Sequence, residues 1–119
     1  MIANIARAGI LAFAIAAPGI ANAAPFDGNW SLTIFTRAGS CDPTYNFQVQ
    51  IVNGIVSHPN LVRLRGRVAP NGAVSVSVAT SDQSASGSGV LRGNAGSGRW
   101  TGRDMQGRSC SGSWSAQKN

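Results

Sequence analysis

The sequence contains no glutamate, one lysine, one histidine and four aspartates among its 119 residues. Helix surfaces draw heavily on Glu and Lys, so this scarcity argues against a helical bundle. It also leaves few groups for general acid–base chemistry. Charged residues make up only 12% of the chain, and 10 basic residues against 4 acids give a formal net charge of +6. The only cysteines are Cys41 and Cys110, and with the single His58 they form no metal-site spacing. No metal or cofactor is therefore expected. The apolar run Ala8–Ala17 (AGILAFAIAA) covers about 15 Å as helix, against about 30 Å of bilayer hydrocarbon. No transmembrane segment is expected once that run is removed.

The amino terminus reads instead as an address. Met1–Arg7 is short and positive, Ala8–Ala17 is apolar, Pro18-Gly19 breaks the run, and Ala21-Asn22-Ala23 fits the small-x-small cleavage rule. Residues 1–23 are thus expected to be a signal helix, leaving 24–119 as a single domain. Cleavage one residue later would set Pro25 beside the scissile bond. The expected destination is the periplasm or the medium. In such an oxidising compartment an even pair of cysteines forms a disulfide, Cys41–Cys110. Closing a loop of about 70 residues is worth about 4 kcal/mol in the chain-entropy model.

What is abundant points to strands. Gly, Ser and Val are the commonest residues of the mature chain, and apolar residues alternate with polar ones at period two. Trp30, Leu32 and Ile34 share one face, as do Tyr45, Phe47, Val49 and Ile51, then Val62, Leu64 and Val68, then Val74, Val76 and Val78. Turn signals separate these runs at Asn53-Gly54, Pro70-Asn71-Gly72, Asn94-Ala95-Gly96 and Gln106-Gly107. The fold class is all-β, an antiparallel up-and-down meander of about eight strands.

Turn lengths set the expected register. A two-residue turn at Asn53-Gly54 puts Ile51 opposite Val56. A three-residue loop at Pro70–Gly72 pairs Val68 with Val74, Leu64 with Val78, Arg67 with Ser75 and Arg65 with Ser77. A three-residue loop at Met105–Gly107 pairs Trp100 with Gly112 and Gly98 with Trp114. An even loop around Asn94-Ala95 sets Gly89 against Trp100 and Leu91 against Gly98. Each late Trp then covers a neighbouring Gly. Trp30, Trp100 and Trp114 are expected as core plugs that leave little room for a ligand. An even strand count brings Cys41 and Cys110 to one end, as a closed barrel requires. Strand three is short before Pro59, so a partly open barrel or a flattened sandwich is also consistent.

Three G-x-W-[S/T] units, at Gly28–Ser31, Gly98–Thr101 and Gly112–Ser115, resemble the strand-one signature of lipocalin and avidin-like barrels. The series FDGNWSLTI, CDPTYNF, QIVNG, NGAVSVSV, GSGRWTG and CSGSWSA resembles a family of small exported alphaproteobacterial β-proteins. The resemblance spans nearly the whole mature chain and implies export and a barrel; it implies no activity and no catalytic residue.

The residues favour binding over catalysis. His58 beside Pro59 reads as a turn residue, and Asp27, Asp42, Asp82 and Asp104 sit near turns or the amino terminus. An enzyme is not expected. Arg63, Arg65 and Arg67 alternate with apolar residues, so all three are expected to face outward, opposite Ser75, Ser77 and Ala79. Such a stripe offers guanidinium groups to sulfate, phosphate or carboxylate, while a solvated, solubilising strand face is the simpler account. Arg37, Arg103 and Arg108 are expected near the rim that carries the longer loops, partly offset by Asp42, Asp82 and Asp104. The expected function is a monomeric binding module for an anionic glycan, a lipid phosphate or a small ligand. A protein-partner role such as a periplasmic protease inhibitor is the alternative. Nucleic acid is disfavoured, because no aromatics interleave the arginines.

Overall fold

A computed structural model describes residues 25–61 and 63–119. The expected signal segment, 1–23, and Val62 lie outside the described residues. Eight strands follow in order: β1 Gly28–Ala38, β2 Thr44–Val52, β3 Ile55–Ser57, β4 Arg65–Val68, β5 Ala73–Ala79, β6 Ser84–Arg92, β7 Ala95–Arg103 and β8 Ser109–Lys118. Each pairs antiparallel with the next, and β8 returns to β1 to close the barrel. Closure leaves no free sheet edge and settles the choice between closed barrel, open barrel and sandwich.

Turn chemistry accounts for most of the register. Asn53 and Gly54 both take positive φ (52° and 76°), as a type I′ turn requires, and Ile51 lies opposite Val56. In the Pro70–Gly72 loop, Gly72 sits at φ 95° and its N–H donates to Ala69 O at 2.8 Å. The pairs Arg65–Ser77, Arg67–Ser75 and Val68–Val74 follow. The Met105–Gly107 loop behaves likewise and sets Trp100 against Gly112, Gly98 against Trp114 and Gly102 against Cys110.

The register differs from expectation in two ladders. Between β6 and β7 the turn is only Gly93-Asn94, with Gly93 left-handed at φ 57°. Gly89 therefore meets Gly98, Leu91 meets Gly96, and Trp100 meets Gly87. In β4 the ladder begins at Arg65, so Leu64 does not pair with Val78 and Arg63 is not a strand residue. The cause is local: after Pro59 the chain makes two successive turns, Leu61 N–H to His58 O and Leu64 N–H to Leu61 O. These consume the residues that would have extended the strand.

Inward residues form one core that includes Trp30, Val49, Ile51, Val56, Val68, Val74, Leu91, Trp114 and Ala116. Trp30 is 1% exposed and is the largest fully buried side chain. Cys41 and Cys110 are bonded, with Cα atoms 6.1 Å apart across 69 positions. The bond ties the β1–β2 loop to the start of β8, and it fits an oxidising compartment.

Candidate functional site

The two ends of the barrel are built differently. At one end lie the short turns and Phe26, which packs against the core. Phe26 O accepts the Trp30 indole N–H at 2.9 Å, and the Asp27 carboxylate accepts the N–H groups of Asn53 and Gly54 at 2.6 and 3.1 Å. The segment before β1 is thereby pinned across the end as a lid. Sequence reasoning had no role for Phe26; its signal was an aromatic immediately ahead of the first G-x-W.

The other end is open. A cavity of about 350 Å³ runs from Trp30, past Leu32, Phe47, Val76 and the other two Trp residues, to a rim that includes Thr36, Asp42, Thr80, Gln83, Ser84 and Arg103. Its wall is apolar throughout its depth, and polar atoms gather where it meets water. This corrects the expectation that three indoles fill the interior.

The reason is the orientation of the rings. Trp114 reaches from β8 across Gly98 of β7 to Gly89 of β6, and its Nε1–H donates to Ser88 O at 3.2 Å. Trp100 reaches the opposite way, from β7 across Gly112 of β8, and its Nε1–H donates to Phe35 O of β1 at 3.0 Å. Both rings lie along the wall over bare glycine backbone instead of crossing the lumen. With every indole N–H satisfied by a carbonyl, the rings present only carbon to the cavity.

The rim is stapled on one side. Beside the disulfide, the buried Asp104 carboxylate accepts N–H groups from Arg108 and Gln106 at 2.9 Å, the Ser40 hydroxyl at 2.9 Å and Arg108 Nε–H at 3.0 Å. The Arg108 backbone N–H leads in holding its carboxyl below the usual carboxylate range; burial opposes this, and Ser40, Gln106 and the Arg108 charge add to it. This pair is the only ion pair among the described residues.

The basic residues named from sequence fall into three places. Arg103 lines the mouth, with Nη1 donating to Gly107 O at 2.9 Å, which leaves most of its guanidinium donors open. Arg108 is committed to Asp104. Arg37 lies outside the lumen, with Nε donating to Ser113 Oγ at 3.3 Å and its guanidinium 5.9 Å from the Phe35 ring. Arg65 and Arg67 are exposed on the outer face of β4, and Arg63 is exposed in the loop before it. His58 accepts Asn60 N–H through Nδ1 at 3.0 Å, and its ring meets Phe47 edge-on at 6.1 Å. Among the described residues no three His, Cys, Asp or Glu side chains converge on a metal-sized site.

No family model, curated protein or solved structure matches this chain. What stands is an eight-stranded, disulfide-bonded antiparallel barrel with an apolar interior open at one end.

Proposed function

We propose that the protein is an exported, extracytoplasmic binding protein for a small amphiphile. The apolar part of the ligand occupies the barrel lumen, and its anionic head, a phosphate or carboxylate, lies at the rim beside Arg103. The observation that carries this reading is the cavity itself: about 350 Å³, apolar in depth, with its polar lining gathered at one end. Small-molecule pockets run from roughly 300 to 1,000 Å³ and combine apolar walls with a few placed polar groups. An unfilled apolar space also forfeits dispersion contacts for every atom lining it, and an apolar chain restores them. Arg103 supplies a charged, multi-donor partner for an acidic head, Thr80, Gln83 and Ser84 supply neutral groups, and Asp42 faces any donor the head carries. The disulfide and the leader-like amino terminus support an extracytoplasmic setting.

The test is calorimetric titration of the purified protein with dodecyl phosphate, dodecanol and inorganic phosphate. Dodecyl phosphate binds best, dodecanol more weakly, and phosphate alone not measurably. Val78→Trp places a ring inside the lumen near the mouth and abolishes binding of both dodecyl probes. Wild-type-like binding by a Val78→Trp protein whose circular dichroism and urea midpoint are unchanged overturns the lumen as the site.

A further inference from the structure

The outer wall carries a second feature, built on arginines that do not line the lumen: Arg65, Arg67 and Arg99. Every charged side chain on the strands is basic: Arg37, Arg65, Arg67, Arg92, Arg99, Arg103 and Lys118. The aspartates at 27, 42, 82 and 104 all lie in turns, in loops or ahead of β1. No carboxylate is therefore available along the strands to neutralise the wall.

The ladder register gathers three of these arginines around a hydroxyl floor. Arg67 lies opposite Ser75, Ser75 opposite Ser88, and Ser88 opposite Arg99, so one outward row across β4 to β7 runs Arg-Ser-Ser-Arg. The next row, towards the mouth, runs Arg65, Ser77, Ser86 and Thr101. Long side chains at the margins and short ones between them leave an external groove of about 830 Å³. With neighbouring strands about 4.8 Å apart, the strand positions of Arg67 and Arg99 at the two ends of the first row are three spacings, about 14 Å, apart along the wall. Arg63 lies in the loop outside both rows, whereas Arg99, which no sequence pattern linked to β4, completes the site.

We propose that this groove binds a linear anionic glycan lying across β4–β7. Guanidinium groups at both margins pair with carboxylate or sulfate substituents, and the serine and threonine hydroxyls between them exchange hydrogen bonds with sugar hydroxyls. The floor has no outward aromatic on which a nucleobase could stack, so single-stranded nucleic acid lacks its usual anchor. A recessed hydroxyl floor between basic margins also suits a chain lying in the groove better than a flat bilayer. A bilayer contact needs side chains that stand proud of the surface.

The probes are polygalacturonate and heparin as carboxylated and sulfated chains, dextran as a neutral chain, and phosphatidylglycerol vesicles as an anionic surface. In about 0.1 M salt, where the Debye length is about 10 Å, the wild-type protein binds at least one anionic glycan and does not bind dextran. Replacing Arg65, Arg67 and Arg99 together by Gln weakens that binding by about tenfold or more, as expected for lost charge-assisted hydrogen bonds. The charge-matched triple Arg37→Gln, Arg92→Gln, Lys118→Gln weakens it by less than about threefold, since distant exposed charges are largely screened. Ser75→Val with Ser77→Val leaves charge unchanged and still lowers affinity by roughly three- to tenfold through lost hydroxyl contacts. Equal weakening by the two triples, binding to vesicles but to neither glycan, or no binding to either glycan overturns the proposal.

Discussion

Trp114 and Gly98 stand opposite each other on β8 and β7, and the indole lies so close over the glycine that a Cβ there would come within 2.6 Å of Cε2. The contact does two things at once. It covers bare backbone with a large apolar ring, which stabilises the wall, and it keeps that ring out of the lumen. The Trp residues that hold this barrel together are therefore also the reason it is hollow.

Gly98→Ala is expected to destabilise the fold by about 1–3 kcal/mol, the range for overpacking a well-packed site. The ring must lift into the lumen or β6 and β7 must separate. Ser97→Ala, one residue away on the outer face, should stay within about 0.5 kcal/mol of wild type. Urea midpoints read the comparison, and indole emission reports whether Trp114 has moved. Equal midpoints for the two variants would contradict the packing argument.

The disulfide gives a second expectation. Replacing Cys41 and Cys110 by Ser should cost roughly 2–5 kcal/mol, a large fraction of the stability of a domain this small. A denaturant midpoint unchanged from the oxidised wild type would show that the bond is not stabilising.

How much of this was legible before the structure depended on how sharply each local signal restricts the backbone. Asn53-Gly54 and Pro70–Gly72 each demand one turn type, so the registers they control follow directly. Between β6 and β7 the inward positions are rich in glycine, with Gly87 and Gly89 on β6 and Gly96, Gly98 and Gly102 on β7. A slip of two residues keeps every side chain on its proper face and still leaves glycine beside Trp100, so hydrophobic pattern cannot choose. The length of the Gly93-Asn94 turn decides it. Alternation in the sequence continues through residues 62–64 and puts Arg63 on a strand face, whereas the chain turns after Pro59 and the ladder starts only at Arg65. The cavity was hidden for a different reason: periodicity tells which side of a strand a Trp occupies, but not whether its ring lies along the wall or across the space. The landing glycines were visible; their consequence for the volume inside was not. The position of Arg103 at the end of a strand is enough to set it near the rim. That it lines the mouth itself depended on the loop it bonds to.

Asp104 predicts an acid limb in stability. Its carboxyl titrates below the ordinary range, first because of the Arg108 backbone N–H. A group whose pKa is depressed by folding contributes stability above its unfolded pKa, about 3.9, and that stability is lost as pH falls through the lower folded value. Asp104→Asn should therefore be less stable than wild type at neutral pH, with the gap closing below about pH 4. Urea midpoints from pH 7 down to acid check this, and a gap independent of pH would remove the carboxylate charge from the account.

The amino-terminal reading is checked by mass. Exported protein should begin at Ala24, following cleavage after Ala21-Asn22-Ala23. An intact mass that retains Met1, or that starts elsewhere, contradicts it.

The last prediction concerns head-group choice at the mouth. Arg103 is the guanidinium lining the cavity, and its anchor to Gly107 O orients it without consuming its charge. An exposed ion pair is worth about 0.2–1 kcal/mol, and a charge-assisted hydrogen bond shielded by a rim about 1.5–3 kcal/mol. Arg103→Gln should therefore weaken dodecyl phosphate by roughly ten- to a hundredfold if the head is shielded, and by only a few-fold if it is bathed in solvent. Dodecanol, which has no charge to lose, should bind the variant and the wild type alike. Salt separates the cases further: raising ionic strength weakens an exposed pair strongly and a shielded one little. Arg37→Gln serves as the comparison, since Arg37 is exposed on the outer wall near the same end and does not line the mouth. If Arg37→Gln and Arg103→Gln weaken dodecyl phosphate equally while dodecanol is unaffected, the head is attracted by the net charge of the protein and not held at Arg103. If Arg103→Gln alone is affected, the mouth reads both ends of its ligand: length and apolarity through the wall, charge through one guanidinium at the rim.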